Sequence, residues 1–127
     1  MTIKIDVLRV AKDGRGYVFE PMEPEKIGQF RNMHVVYTVP GVVRGNHRHI
    51  RGTEISSVSG PMLVRYRQDG LVHDVVVPDG EVWRFEFPPG VAHAFRNDGT
   101  EPSLLAAFNT EEHDPARPDA VKDVLIE

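Results

Sequence analysis

The chain has 127 residues, no cysteine, six histidines and a formal net charge of −4. That length suffices for one domain with a real core, and the missing cysteine excludes disulfides, thiolate metal sites and a cysteine nucleophile. The mildly acidic balance gives no footprint for nucleic acid or an anionic membrane, so neither is an expected partner.

Residues 1–30 read as an N-terminal arm of strand and loop. Lys4, Asp6 and Arg9 interrupt any apolar core of a signal peptide. The longest apolar run, Leu104 to Phe108, is too short to cross a bilayer, and a soluble cytoplasmic protein is expected. Ile3–Leu8 is the first strand candidate, and Asp13-Gly14-Arg15-Gly16 reads as a loop. Strands are then expected at Met33–Val39, Val43–His49 and Glu54–Val58. Met62–Arg67 alternates, with Val64 and Tyr66 on one face and Arg65 and Arg67 on a solvated one. Leu71–Val77 follows, then Val82–Phe87, which gathers Trp83, Phe85 and Phe87 on one side; Ala92–Arg96 and Leu104–Phe108 complete the set.

The punctuation between these segments is turn chemistry. Eleven Gly and ten Pro exceed the usual combined share of roughly 12% and favour many short strands over long helices. Asp69-Gly70 and Asp79-Gly80 predict tight hairpin turns, and Asn97 is placed to cap the turn at Asn97-Asp98-Gly99. Residues 109–127 form a polar C-terminal segment, in which Pro118–Leu125 comes nearest to a short helix. The pattern indicates a single all-β domain, a sandwich, jelly roll or small barrel.

The histidines carry the chemistry. At alternate positions of a strand, His47 and His49 leave the same face roughly 7 Å apart at Cα and can converge on one ion. Glu54 lies five residues on, where the chain can reverse. Pro88-Pro89-Gly90 then introduces His93 at the start of another strand. Three imidazoles and a carboxylate suit zinc, iron, manganese, nickel or copper, and leave positions open for water or substrate.

Gly41-x5-His47-x-His49-x4-Glu54, followed by Pro88-x-Gly90-x2-His93-x3-Asn97, resembles the two signature motifs of the cupin superfamily. The resemblance implies an RmlC-like cupin jelly-roll β-barrel (a double-stranded β-helix). It also implies one divalent metal ion, zinc first and iron, manganese or nickel next, on His47, His49, Glu54 and His93. A narrower likeness rests on residues 40–49, 87–93 and 109–119. These blocks are similar to the C-terminal cupin domain of bifunctional capsular-polysaccharide enzymes, which epimerises a UDP-linked 4-keto sugar and binds zinc. Arg44-Gly45-x-His47 is also similar to the dTDP-4-keto-6-deoxyhexose 3,5-epimerases and 3,4-ketoisomerases, where that histidine is a base, often without metal. The activity implied is an isomerase of a 4-keto-deoxy nucleotide sugar.

Such a reaction needs a base at the carbon and stabilisation of the developing enolate. His34 and His73 are the candidate bases, each on a strand face that can line the barrel; without a metal, His47 or His49 takes that part. Arg44 is the candidate for a diphosphate, since a guanidinium fork matches phosphate oxygens, and Tyr66 is the second candidate substrate contact. His113 is expected in solvent or between subunits, and 109–119 as a lid or a packed tail. Two other activities compete: a metal-dependent enzyme on another small molecule, such as a dioxygenase or polyketide cyclase, and a non-catalytic binding module. Cupins commonly exchange N-terminal strands, and Ile3–Leu8 is the expected means to a homodimer.

Overall fold

Alternating sequence builds two five-stranded antiparallel sheets and a separate hairpin, described over residues 2–127 in a computed structural model. The strands are β1 (Lys4–Val7), β2 (Ala11–Asp13), β3 (Gly16–Val18), β4 (Asn32–Thr38), β5 (Val43–His49) and β6 (Glu54–Ser59). They continue with β7 (Met62–Gln68), β8 (Leu71–Val77), β9 (Val82–Phe87), β10 (Ala92–Asn97), β11 (Ser103–Asn109) and β12 (Ala120–Lys122). Among the described residues the only helical element is a 3-10 turn at Ile27–Gln29.

One sheet runs β1-β9-β6-β11-β4 and the other β12-β5-β10-β7-β8. From β4 onward the chain changes sheet at every connection except β7 to β8, which is the jelly-roll topology expected from the sequence. Asp69-Gly70 makes that hairpin, with both residues at positive φ between the paired Gln68 and Leu71. Asp79-Gly80 does not make one: β8 and β9 lie in different sheets, so this turn carries the chain across the sandwich. The early loop at 13–16 is instead the turn of the β2–β3 hairpin.

The main core lies between the sheets. Val58, Phe85, Phe87 and Leu105 come from one and Val64, Tyr66, Val77 and Phe95 from the other, the inward set of each alternation. The two chain ends cover the outer faces. Met22 and Phe30 of the arm pack on Ile55 and Phe108, while Leu125 and Ile126 pack on Leu63 and Ala94. This covering explains β6, whose first five residues are all buried despite two serines. Ser56 Oγ donates to Glu54 Oε2 at 2.8 Å and Ser57 Oγ to the Pro21 carbonyl at 2.9 Å, so neither hydroxyl is left unpaired.

The expected helix at Pro118–Leu125 is absent. Eight residues are too few to hold a helix unaided, and this stretch has better partners in the sheet. β12 pairs with β5, and Asn46 then takes the next turn of chain: its Oδ1 accepts from Leu125 N and Ile126 N, and its Nδ2 donates to the Ile126 carbonyl. Arg65 and Arg67, expected in solvent, hold the same segment. Arg67 donates to Asp123 at 2.9 Å and Arg65 to the Leu125 carbonyl at 3.2 Å.

Candidate functional site

The site begins with a defect in β5. Gly45 and Asn46 both have positive φ, +82° and +58°, and the pairing with β10 slips between His93 and Ala94. This bulge adds one residue, so Arg44 faces Phe95 and His47 faces His93 although three positions separate them. Plain alternation would put Arg44 and His47 on opposite faces. Beyond the bulge the period of two resumes and His49 joins them.

β6, in the opposite sheet, supplies Glu54. Its carboxylate stands 2.9 Å from His49 Nε2 and 3.8 Å from His47 Nε2 through Oε1, and 3.0 Å from His93 Nε2 through Oε2. His93 is fully buried and stacks on Phe87 with ring centroids 4.1 Å apart. Its Nδ1–H donates to the Val91 carbonyl at 3.0 Å, which turns the Nε2 lone pair towards Glu54. Burial works to raise the Glu54 pKa. The His93 ring and the neighbouring His47 and His49 imidazoles outweigh it and hold the carboxyl well below its ordinary range. The same carboxylate, with Asp119, overcomes the burial of His49 and raises its pKa.

This donor set fits a divalent ion. The four ligand atoms lie within 4.8 Å of one another, close to the roughly 3–4 Å spacing of donors around one ion at 2.1 Å. His47 Nε2 and His93 Nε2 are buried with no hydrogen-bond partner, and a buried ionised carboxylate stands between them. Orphaned nitrogens around an anion are the arrangement a cation satisfies.

His47, His49 and Glu54 of the cluster line a cavity of about 240 Å³, with His93 buried behind them. His34 lines one wall from β4, opposite Ala107 of the main core. Glu111, Glu112, His113 and Asp114 form the mouth, so the 109–119 segment sits over the site and His113 belongs to it. Among the described residues no lysine or arginine lines this cavity. His73, Tyr66 and Arg44 lie outside the lining. His73 stacks on Tyr66 at 4.9 Å, and Tyr66 is packed beside Phe87. Arg44 closes the seam between β5 and β4, donating through Nε to Thr38 Oγ1 at 3.2 Å and through Nη2 to the Tyr37 carbonyl at 2.9 Å.

Two contacts of His49 escape the sequence. Asn109 Nδ2 and Asp119 Oδ2 each stand 3.3 Å from its Nδ1. The residues lie far along the chain, and no local pattern links them to His49. The bulge, by contrast, has a local signal, since glycine followed by asparagine at 45–46 favours left-handed backbone.

The polysaccharide biosynthesis C-terminal domain family matches residues 11–121. No curated protein sequence matches significantly. Among solved structures, a dTDP sugar isomerase from Desulfovibrio desulfuricans superposes with a TM-score of 0.76 at 18% identity, over 94% of this chain and 82% of that one. QdtA, a sugar 3,4-ketoisomerase from Thermoanaerobacterium thermosaccharolyticum in complex with TDP, gives 0.70 at 17%, over 95% and 88%. The capsular polysaccharide assembling protein CapF from Staphylococcus aureus gives 0.69 at 23%; the chain is covered over 93% but spans only 34% of that protein. The fold is the cupin jelly roll.

Proposed function

From its membership of the polysaccharide biosynthesis C-terminal domain family, to which this chain belongs, we propose that the protein is a sugar isomerase acting on a 4-keto-deoxy nucleotide sugar. The observation that carries the reading is the convergence of His47, His49, Glu54 and His93 beneath a cavity that also presents His34. The solved relatives add support, since their names describe a dTDP sugar isomerase and a sugar 3,4-ketoisomerase that holds TDP.

The sugar ring enters the cavity with its ketone towards the cluster. A divalent ion, when bound by His47, His49, Glu54 and His93, supplies Lewis-acid polarisation of the ketone. His34 stands on the opposing wall as the base that takes the proton from the carbon beside that ketone. Return of a proton to the other face of the same carbon gives the epimer; return to the neighbouring carbon, with the matching hydroxyl proton moved, gives the ketoisomer. Phe87 and the buried floor exclude water, which strengthens each electrostatic contact. His73 and Tyr66 form a stacked pair that shapes the barrel beside Phe87. Arg44 keeps uncommitted N–H groups for a diphosphate, since two of its five donors are engaged with β4. Two copies associate through the outer face of β4, where Met33, Val35 and Tyr37 are exposed beside Leu104 of β11.

The test is incubation with dTDP- and UDP-linked 4-keto-6-deoxyhexoses, reading ring isomers by NMR. A second reading, metal-dependent chemistry on an unphosphorylated small molecule, is favoured by the cavity mouth, which carries Glu111, Glu112 and Asp114 and no cation. Turnover of an unphosphorylated ketone with none of the nucleotide sugars would select it.

A further inference from the structure

His49 is the one member of the cluster whose ring tautomer is contested. A neutral imidazole carries a single N–H. With the hydrogen on Nδ1, the N–H lies beside the Asp119 carboxylate, whose Oδ2 is 3.3 Å away and favours a hydrogen there, and the Nε2 lone pair is free to face a cation. With the hydrogen on Nε2, the ring donates to Glu54 Oε1 at 2.9 Å and Nδ1 accepts from Asn109 Nδ2 at 3.3 Å. That second state closes Nε2 to an ion. His93 has no such choice, because the Val91 carbonyl fixes its Nδ1–H.

Both competitors are held in place. Asn109 cannot turn its carbonyl to His49, since Oδ1 accepts the Glu111 N–H at 2.7 Å. Asp119 accepts from Arg51 N at 2.8 Å and Gly52 N at 3.0 Å, with Arg51 Nε 3.6 Å away. Gly52 makes room for the pair. A Cβ there would clash with Asn109 Oδ1 and stand 2.8 Å from Asp119 Oδ2.

We propose that Asp119 is a positioning residue that holds His49 in the Nδ1–H tautomer and so keeps Nε2 open to a metal ion, against the opposite preference of Asn109. The inference rests on the proposed role of the cluster as a metal site. It makes the 109–119 segment part of that site, because its two ends, Asn109 and Asp119, vote on the state of one ligand.

The experiment is competition between the full-length protein and a chelator for zinc. Asp119→Asn and Asp119→Ala are expected to weaken zinc binding roughly 10- to 100-fold, the usual effect of losing a partner behind a ligand. Asn109→Ala is expected to bind zinc at least as tightly as the parent. Equal binding by the parent and both Asp119 variants overturns the proposal, as does equal weakening by Asn109→Ala, which would mean that the segment merely packs. Long-range proton–nitrogen NMR of the metal-free His49 ring, at a pH where it is neutral, gives an independent reading. Hydrogen on Nδ1 in the parent and on Nε2 in the Asp119 variants supports the proposal; no change of tautomer overturns it. Failure of the parent to bind zinc would sink the metal site, while the NMR arm still decides the role of Asp119.

Discussion

Gly45 passes so close to His93 that a Cβ on it would lie 2.8 Å from the His93 carbonyl oxygen and 3.2 Å from the Ala94 Cα. The glycine also sits at φ +82°, where a side chain is strained even in open space. Close approach and left-handed backbone together create the bulge that brings Arg44, His47 and His49 to one face. Gly45→Ala should therefore cost about 2–3 kcal/mol in stability, measured by denaturant unfolding, and should weaken zinc binding in the same protein. A change within about 0.5 kcal/mol would remove the bulge from the explanation.

Occupancy of the cluster should be visible in melting curves. An ion that binds only the folded chain stabilises it by about 2.7 kcal/mol at a free concentration 100 times Kd. For a chain of this size that is a rise in Tm of roughly 8–15 °C, reversed by a chelator. His49→Ala should abolish the increment, because it removes a ligand.

Acid should loosen the C-terminal segment before the sheets. Asp123 is held below the ordinary aspartate range, first by its hydrogen bond to Arg67 and then, against burial, by Arg48. A carboxyl depressed in the folded state gives its full stabilisation above its unfolded value, about pH 3.9, and loses it as pH falls through the lower folded value. The guanidinium groups are partly exposed, so the contribution is modest, about 1 kcal/mol. Carboxypeptidase-type trimming or tail NMR should report release as the pH falls below about 3.9. Asp123→Asn should release the tail already at neutral pH.

The apolar outer face of β4 should be covered in solution. Tyr37 and Val35 are more than half exposed on a strand at the edge of its sheet, an arrangement soluble proteins normally protect. Sedimentation should give a species of twice 14.3 kDa, and Tyr37→Asp should shift it towards the monomer. A monomeric parent would contradict this, and the expected exchange of β1 is a separate matter, since β1 pairs here with β9 of its own chain.

Much of this was legible in the sequence, for physical reasons. Period-two alternation located β4 to β11, because a half-buried strand must alternate. It also turned His34 inward, opposite Ala107. The spacing of His47, His49, Glu54 and His93 survived into a cluster because strands fix the direction of each side chain. The legible part stopped where long-range contacts decide. Pro118–Leu125 reads as a short helix until Asn46 and Arg67, supplied by distant strands, claim it. Asp79-Gly80 has hairpin chemistry, yet the strands it joins belong to different sheets. His73 alternates inward like His34, and only the register with Tyr66 shows that it stacks there instead of facing the cavity. The contacts of Asp119 and Asn109 with His49 are entirely tertiary.

The central claim is that His34 and the cluster beneath it enolise a keto sugar. The most direct measurement is deuterium wash-in: a nucleotide-linked 4-keto-6-deoxyhexose in D2O with the zinc-loaded protein, read by proton NMR at the carbon beside the ketone. The account predicts loss of that proton signal with the parent protein and a rate reduced roughly 100-fold or more by His34→Gln, the usual weight of a general base. Retention of the proton by the zinc-loaded parent, or an unchanged rate in His34→Gln, would contradict it.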